Sequence, residues 1–182
     1  MRKIFSFLFL FIIISITAGT AGINKKDSGD NILNSSLKQA KESNKPVMVI
    51  FHASWCKWCR HFEDALNSPE LKKIINDYFV VAYIDVLEQK EKKEELENPG
   101  GEKIMNDLGG KDAGLPFYAF LNSKGKMIAN SNAMPKNQNI GYPASDSEIT
   151  LFTSLLKKSS DKLTVEQITM VKDYLKKAAP KQ

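Results

Sequence analysis

Nine consecutive residues, Ser54 to Phe62 (SWCKWCRHF), hold both cysteines and both tryptophans of the chain. Arg60, the one arginine outside the first three residues, and His61 stand among them, and His52 lies just upstream. Two residues separate Cys56 from Cys59. Where such a pair follows a strand and opens a helix, the first thiol meets unpaired backbone N–H groups and the positive end of the helix dipole, which favour an anion and lower a thiol's pKa. A second cysteine one turn on can close a disulfide with the first, or resolve a mixed disulfide with a partner. Cys56 is then the attacking sulfur and Cys59 the releasing one. Lys57, Arg60 and one of His52 or His61 would add positive charge beside the thiolate, and Trp55 and Trp58 offer a flat apolar rim to a polypeptide.

Other chemistries fit the same residues less well. A lone C-x-x-C also suits a structural disulfide or half of a zinc site, but no second pair is present to complete a metal centre. Haem attachment needs histidine directly after the second cysteine, where this chain has Arg60. No metal and no cofactor are expected. His52 is expected to pack at the end of its strand and His61 to face solvent. Trp58 fits either core or rim. Met48, Met105, Met127, Met134 and Met170 follow no cofactor-like spacing and read as core filler or loop.

The N-terminus bears on how the cysteines are read. MRKIFSFLFLFIIISITAGTAG has two basic residues, an apolar run from Ile4 to Ile16 interrupted only by Ser6 and Ser15, and small residues toward Gly22. That is the layout of a secretory signal peptide over 1–21, with Gly19 and Ala21 before the cut. An uncleaved anchor is the alternative, since the run with its flanks approaches the roughly 17 to 20 residues that span a bilayer. Cleavage removes Arg2 and Lys3 and no acid, so the net charge of +5 falls to +3, with 24 basic residues facing 21 acidic ones. This mild lysine excess is spread along the chain and forms no stripe for nucleic acid. Export into an oxidising compartment makes a disulfide ordinary, so a functional reading has to rest on the surroundings of the cysteines.

The elements that must position the pair are legible from periodicity. Residues 22–30 (GINKKDSGD) read as a linker. A first helix over 31–44 places Ile32 or Leu33, Leu37 and Ala40 on one face, and 45–53 (KPVMVIFHA) is a short apolar run suited to a strand buried on both sides. Helices are expected over 57–66 and over 68–78, the second with Ser68 as cap and Pro69 at its first position. A second buried strand covers 79–86. The mixed-charge stretch 87–101 is expected to be a solvated helix face without function, and 102–110 a short helix ended by glycines. Phe117 to Leu121 and Lys126 to Asn130 form a hairpin about the turn NSKG. Helices over 146–158 (Ile149, Phe152, Leu155 and Leu156 inward) and 164–178 (Val165, Ile168, Val171, Tyr174 and Leu175 inward) close the chain. The order predicts one α/β domain over 31–180, a central mixed β-sheet flanked by helices, with an added C-terminal helix.

Two motifs in this order, FHASWCKWCRHFE (51–63) after an apolar strand and GLPFYAFLNSKGK (114–126), resemble the thioredoxin-like superfamily, especially its exported members with a tryptophan before the first cysteine. The resemblance covers about 31–158. It implies a thioredoxin-like fold with Cys56 as nucleophile, Cys59 as resolving thiol, and Pro116 as a cis-proline facing the disulfide. By the same resemblance Leu115 would offer backbone hydrogen bonds to a bound peptide, with Trp55, Lys57 and Trp58 contacting substrate. The chain departs from thioredoxins in three ways. Lys57-Trp58 replaces Gly-Pro between the cysteines. Ile50 stands where thioredoxins bury an aspartate, leaving Glu63 or a water to take the Cys59 proton. The 87–101 stretch and the last helix are additions.

Two functions follow. One is an exported thiol–disulfide oxidoreductase, periplasmic or extracellular and tethered to the membrane if its N-terminal segment is retained. It would act as a monomer on cysteine-containing proteins, with a membrane electron donor or acceptor as redox partner and no nucleic acid. The other is a non-catalytic binding module for a protein or a metal such as copper, in which the disulfide is a static staple.

Overall fold

The computed structural model describes residues 26–179. The signal-peptide segment expected over 1–21 and the start of the expected linker lie outside the described residues.

The apolar run VMVIFH forms β1 (Val47–His52), buried along all but its last residue. A strand that is apolar on both faces needs cover on both, and it also needs partners on both edges. β2 (Val80–Asp85) pairs with it in parallel, with Val47 opposite Val80 and His52 opposite Asp85. On the other edge β3 (Phe117–Leu121) runs antiparallel, with Ile50 opposite Tyr118, and β4 (Met127–Asn130) extends the sheet to the order β2-β1-β3-β4.

Successive strand residues point to opposite faces. Val47, Val49, Phe51, Ala119 and Leu121 face one layer, packed with Ala40 of α1 (Gly29–Ser43) and Ile104 and Met105 of α5 (Gly101–Met105). Met48, Ile50, Tyr118 and Phe120 face the other, against α2 (Lys57–Leu66), α3 (Pro69–Tyr78), α6 (Asp146–Ser159) and α7 (Val165–Ala178). The expected mixed sheet, flanked by helices and followed by an added C-terminal helix, is the observed architecture. Among the described residues no helix is long and apolar enough to cross a membrane.

The structure corrects three expectations about these segments. Residues 26–30 are not a solvated linker. The Lys26 ammonium bonds the Asp85 carboxylate and the Leu96 carbonyl, the Asp27 carbonyl accepts from Asn98 at 2.8 Å, and Ser28 caps α1. Gly29 allows this, since a Cβ there would lie 2.9 Å from the Gly101 Cα. The 87–101 stretch is not one solvated helix face. Only α4 (Lys93–Leu96) is helical before α5 begins at Gly101, and Glu88 and Asn98 within the stretch are buried. Val165, expected inward, is 76% exposed because it opens α7 before that helix reaches its neighbours, whereas Val171 and Leu175, also expected inward, are fully buried. Leu175→Ala is therefore expected to cost about 2–5 kcal/mol by urea unfolding, whereas Val165→Ser stays within about 0.5 kcal/mol.

Candidate active site

β1 delivers the chain to the sheet's end at His52, and a tight turn follows, closed by the Cys56 N–H donating to the Ala53 carbonyl at 3.0 Å. Cys56 is the N-cap of α2, and its sulfur accepts the Cys59 N–H at 3.1 Å. Cys56 and Cys59 are joined as a disulfide. Both are buried, at 4% and 1% exposure, Cys56 slightly less deeply than Cys59. Ala53 and Leu115 pack against the pair. Leu115 precedes Pro116 through a cis peptide bond at the entry to β3. The sheet thus brings Leu115 to Cys56 and Cys59, from a stretch far away in sequence.

An aromatic rim surrounds the disulfide. Trp55 and Trp58 are half exposed, at 49% and 48%. The Trp55 indole N–H donates to the Leu87 carbonyl at 2.8 Å. Trp58 stacks on Tyr142 with ring centroids 5.7 Å apart, and His61 packs against both rings. His61 is therefore half buried in the rim, not turned to solvent as expected. From Trp58 and Leu115 a cleft of about 410 Å³ runs past Ile140, Tyr142 and Glu148 to Ala179. Lys57 is exposed, and the Arg60 guanidinium donates to the Ser54 carbonyl at 2.8 Å.

Three carboxylates, from α2, from β2 and from the segment after β2, engage His52 and Ser54, the residues that lead into the motif. His52 holds Glu63 of α2 through Nδ1 at 2.5 Å and Asp85 of β2 through Nε2 at 3.1 Å, and Lys26 pairs with the same aspartate. His52 is thus a bridge between carboxylates as well as a strand end, and Glu63 is engaged by it. Glu88 accepts the Ser54 N–H at 2.5 Å and the Ser54 hydroxyl at 2.7 Å. Ile50 faces Tyr118 across the β1–β3 ladder, and the Tyr118 hydroxyl finds no hydrogen-bond partner among the described residues. Asp85, Glu88 and Tyr142 were not legible as site residues. Asp85 ends a strand, Glu88 lies in a run of charge, and Tyr142 sits in a loop, so no spacing marks any of them.

Comparison with known proteins bears on this geometry. A family model described as thioredoxin-like matches residues 30–123. Over 100 residues the chain is 31% identical to the thiol:disulfide interchange protein DsbD of Vibrio cholerae serotype O1, covering 54% of this chain and 15% of that protein. It is 26% identical over 114 residues to the chloroplastic thioredoxin-like protein HCF164 of Oryza sativa subsp. japonica, covering 60% of this chain and 36% of that one. The chain thus spans well under half the length of these relatives. A solved structure described as DsbH oxidoreductase superposes with a TM-score of 0.48 at 22% identity, over 84% of this chain and 95% of that one.

Burial, and then the Glu148 charge, raise the Tyr118 pKa well above 10.0. An unfolded tyrosine ionises near pH 10. The folded state therefore keeps a proton that the unfolded state loses, and this contribution to stability is whole below about pH 10 and is lost as pH rises beyond it. In an alkaline titration followed by phenolate absorbance, one of the five tyrosines should ionise only as the protein unfolds. Tyr118→Phe should delete that late step and leave stability unchanged or higher, because the hydroxyl it removes is buried without a partner.

Proposed function

The chain belongs to the thioredoxin-like family, and on that premise we propose that it is an exported thiol–disulfide oxidoreductase exchanging its Cys56–Cys59 pair with cysteines of partner proteins. One observation carries this reading: the Cys56 sulfur caps the ten-residue helix α2 and receives the Cys59 N–H. A helix N-terminus stabilises negative charge. On reduction the charge is best held on Cys56, which is also the less buried residue of the two, so in this reading Cys56 is the nucleophile and Cys59 the resolving thiol.

In the oxidising direction, a partner thiolate attacks Cys56 Sγ. The bond to Cys59 breaks, its electron pair leaves on Cys59 Sγ, and a mixed disulfide joins Cys56 to the partner. Cys59 takes up a proton. A second partner thiolate then attacks the partner's own sulfur, and Cys56 leaves as the thiolate. The partner has lost two electrons and two protons; one proton resides on Cys59 and the other goes to solvent. The reverse sequence reduces a partner disulfide.

Trp55, Lys57 and Trp58 form the contact rim for the polypeptide in this reading. Leu115 supplies backbone hydrogen bonds, Pro116 faces the disulfide, and the cleft beyond Trp58 takes a side chain near the reacting cysteine. The apolar N-terminal segment with its small-residue ending supports export, with residues 1–21 as a signal peptide. Relatives named thiol:disulfide interchange proteins support cysteine-containing substrates. In an oxidising compartment, sustained reduction would draw electrons from a membrane partner, and the chain would act as a monomer.

The test is the equilibrium of the mature chain against a glutathione or dithiothreitol series, read by tryptophan fluorescence. A reversible transition between about −120 and −270 mV is expected. A bridge resisting reduction to below about −300 mV would make the disulfide a structural staple and end the proposal. With a reducible partner peptide, Cys59→Ser should accumulate a mixed disulfide at Cys56, and Cys56→Ser should not.

A further inference from the structure

Ser54, two places before Cys56, is gripped from two sides by opposite charges. On one side Glu88, only 7% exposed, takes its N–H on one carboxylate oxygen and its hydroxyl on the other. On the other side the exposed Arg60 guanidinium donates to its carbonyl. Leu87, next to Glu88 and held at a φ of 54°, accepts the indole N–H of Trp55. Consecutive residues after β2 therefore fasten the consecutive residues that lead into Cys56. Glu88 enters no ion pair among the described residues.

The two charges act on Cys56 with opposite signs, and burial decides between them. Two residues of chain span at most about 7 Å, so the Ser54 backbone that both charges grip lies within about one Debye length of the Cys56 backbone at physiological salt. An exposed guanidinium is screened by water and ions, whereas a carboxylate shielded from both is screened far less. The anion should prevail.

We propose that Glu88 is a positioning residue of the dithiol. It fixes the approach to Cys56 through Ser54, and its buried charge opposes a second negative charge on the Cys56 sulfur, holding the pair toward the disulfide. This rests on the oxidoreductase function proposed above and adds to it a determinant of direction: Glu88 makes the protein a stronger reductant than its cationic Cys56-Lys57-Trp58-Cys59 segment alone would give.

The experiment is the equilibrium of each variant with dithiothreitol, in which the two reagent thiols become a cyclic disulfide. Cys56 and Cys59 gain the two electrons, and the two protons released by the reagent pass to the reduced sulfurs or to solvent. Glu88→Gln keeps the side-chain size and an acceptor for the Ser54 N–H but removes the charge. It is expected to shift the equilibrium about tenfold toward the dithiol, equivalent to about 30 mV, and to bring thiolate absorbance in at lower pH. Arg60→Gln should shift it about twofold the other way. Ser54→Ala, which leaves the carboxylate charge in place, should stay within about twofold of wild type.

A Glu88→Gln protein indistinguishable from wild type overturns the inference, as does a Ser54→Ala protein that moves as far as Glu88→Gln. Should Glu88→Gln fail to fold, Glu88→Asp serves instead, because withdrawing the charge by one methylene should give a smaller shift of the same sign; no shift there overturns the inference equally. A wild-type pair that dithiothreitol cannot reduce removes the function and the inference together, whereas a wild-type pair that titrates while the Glu88 variants do not move removes the inference alone.

Discussion

The double-sided burial of β1 is the constraint on which the rest of the molecule depends. Five consecutive residues from Val47 to Phe51 are fully buried, and a strand in that state must satisfy its backbone on both edges and its side chains on both faces. β2 and β3 do the first, and the two helical layers do the second. Because β1 is held so completely, its end at His52 is a fixed point. The turn and the α2 N-terminus that follow can then set a pair of sulfurs at the sheet's edge with little freedom to wander.

From that fixed point the site is assembled by neighbours in space. β3, paired antiparallel to β1, starts beside the β1 end, which brings Leu115 against Cys56 and Cys59. β2, paired in parallel, ends beside the same place, so Asp85 reaches His52 and the next residues reach Ser54 and Trp55. Parallel and antiparallel pairing on opposite edges of one strand thus direct a strand end and a strand start to one location. The polar groups there are tied to each other: Lys26 to Asp85, Asp85 to His52, His52 to Glu63. Partly buried charges need such partners, since a charge left alone away from water is costly.

The thioredoxin-like match over residues 30–123 ends within the hairpin region, before α6 and α7. Those last two helices cover the face of the sheet that carries Met48, Ile50, Tyr118 and Phe120, where Phe152 of α6 packs on Phe62 of α2 and on Tyr118. Their approach also builds the far wall of the cleft, with Glu148 at the start of α6 and Ala179 just past the end of α7. The helix added at the C-terminus therefore contributes to the shape of the surface beside the disulfide.

Local pattern was enough to place nearly every helix and strand, because burial on a sheet or helix imprints a period on the sequence. Cys56, Cys59 and the two tryptophans could be singled out for a related reason, being rare residue types gathered at short spacings, whereas Pro116 stood out only through the resemblance to the thioredoxin-like superfamily. Val165 was misjudged because a helical period alone does not say where along its length a helix begins to touch its neighbours. The partners of His52 and Ser54 left no trace at all. Glu88 reads as one more charge in a solvated run until the parallel pairing of β1 and β2 turns that run back onto the motif, where a carboxylate can be buried against a backbone N–H and a hydroxyl. By itself the sequence determined the order of the elements, most of their buried faces and which pair of cysteines lies two residues apart at the start of a helix. Only the tertiary structure decided which charges gather on the residues leading into the motif, because that depends on contacts between residues more than thirty positions apart.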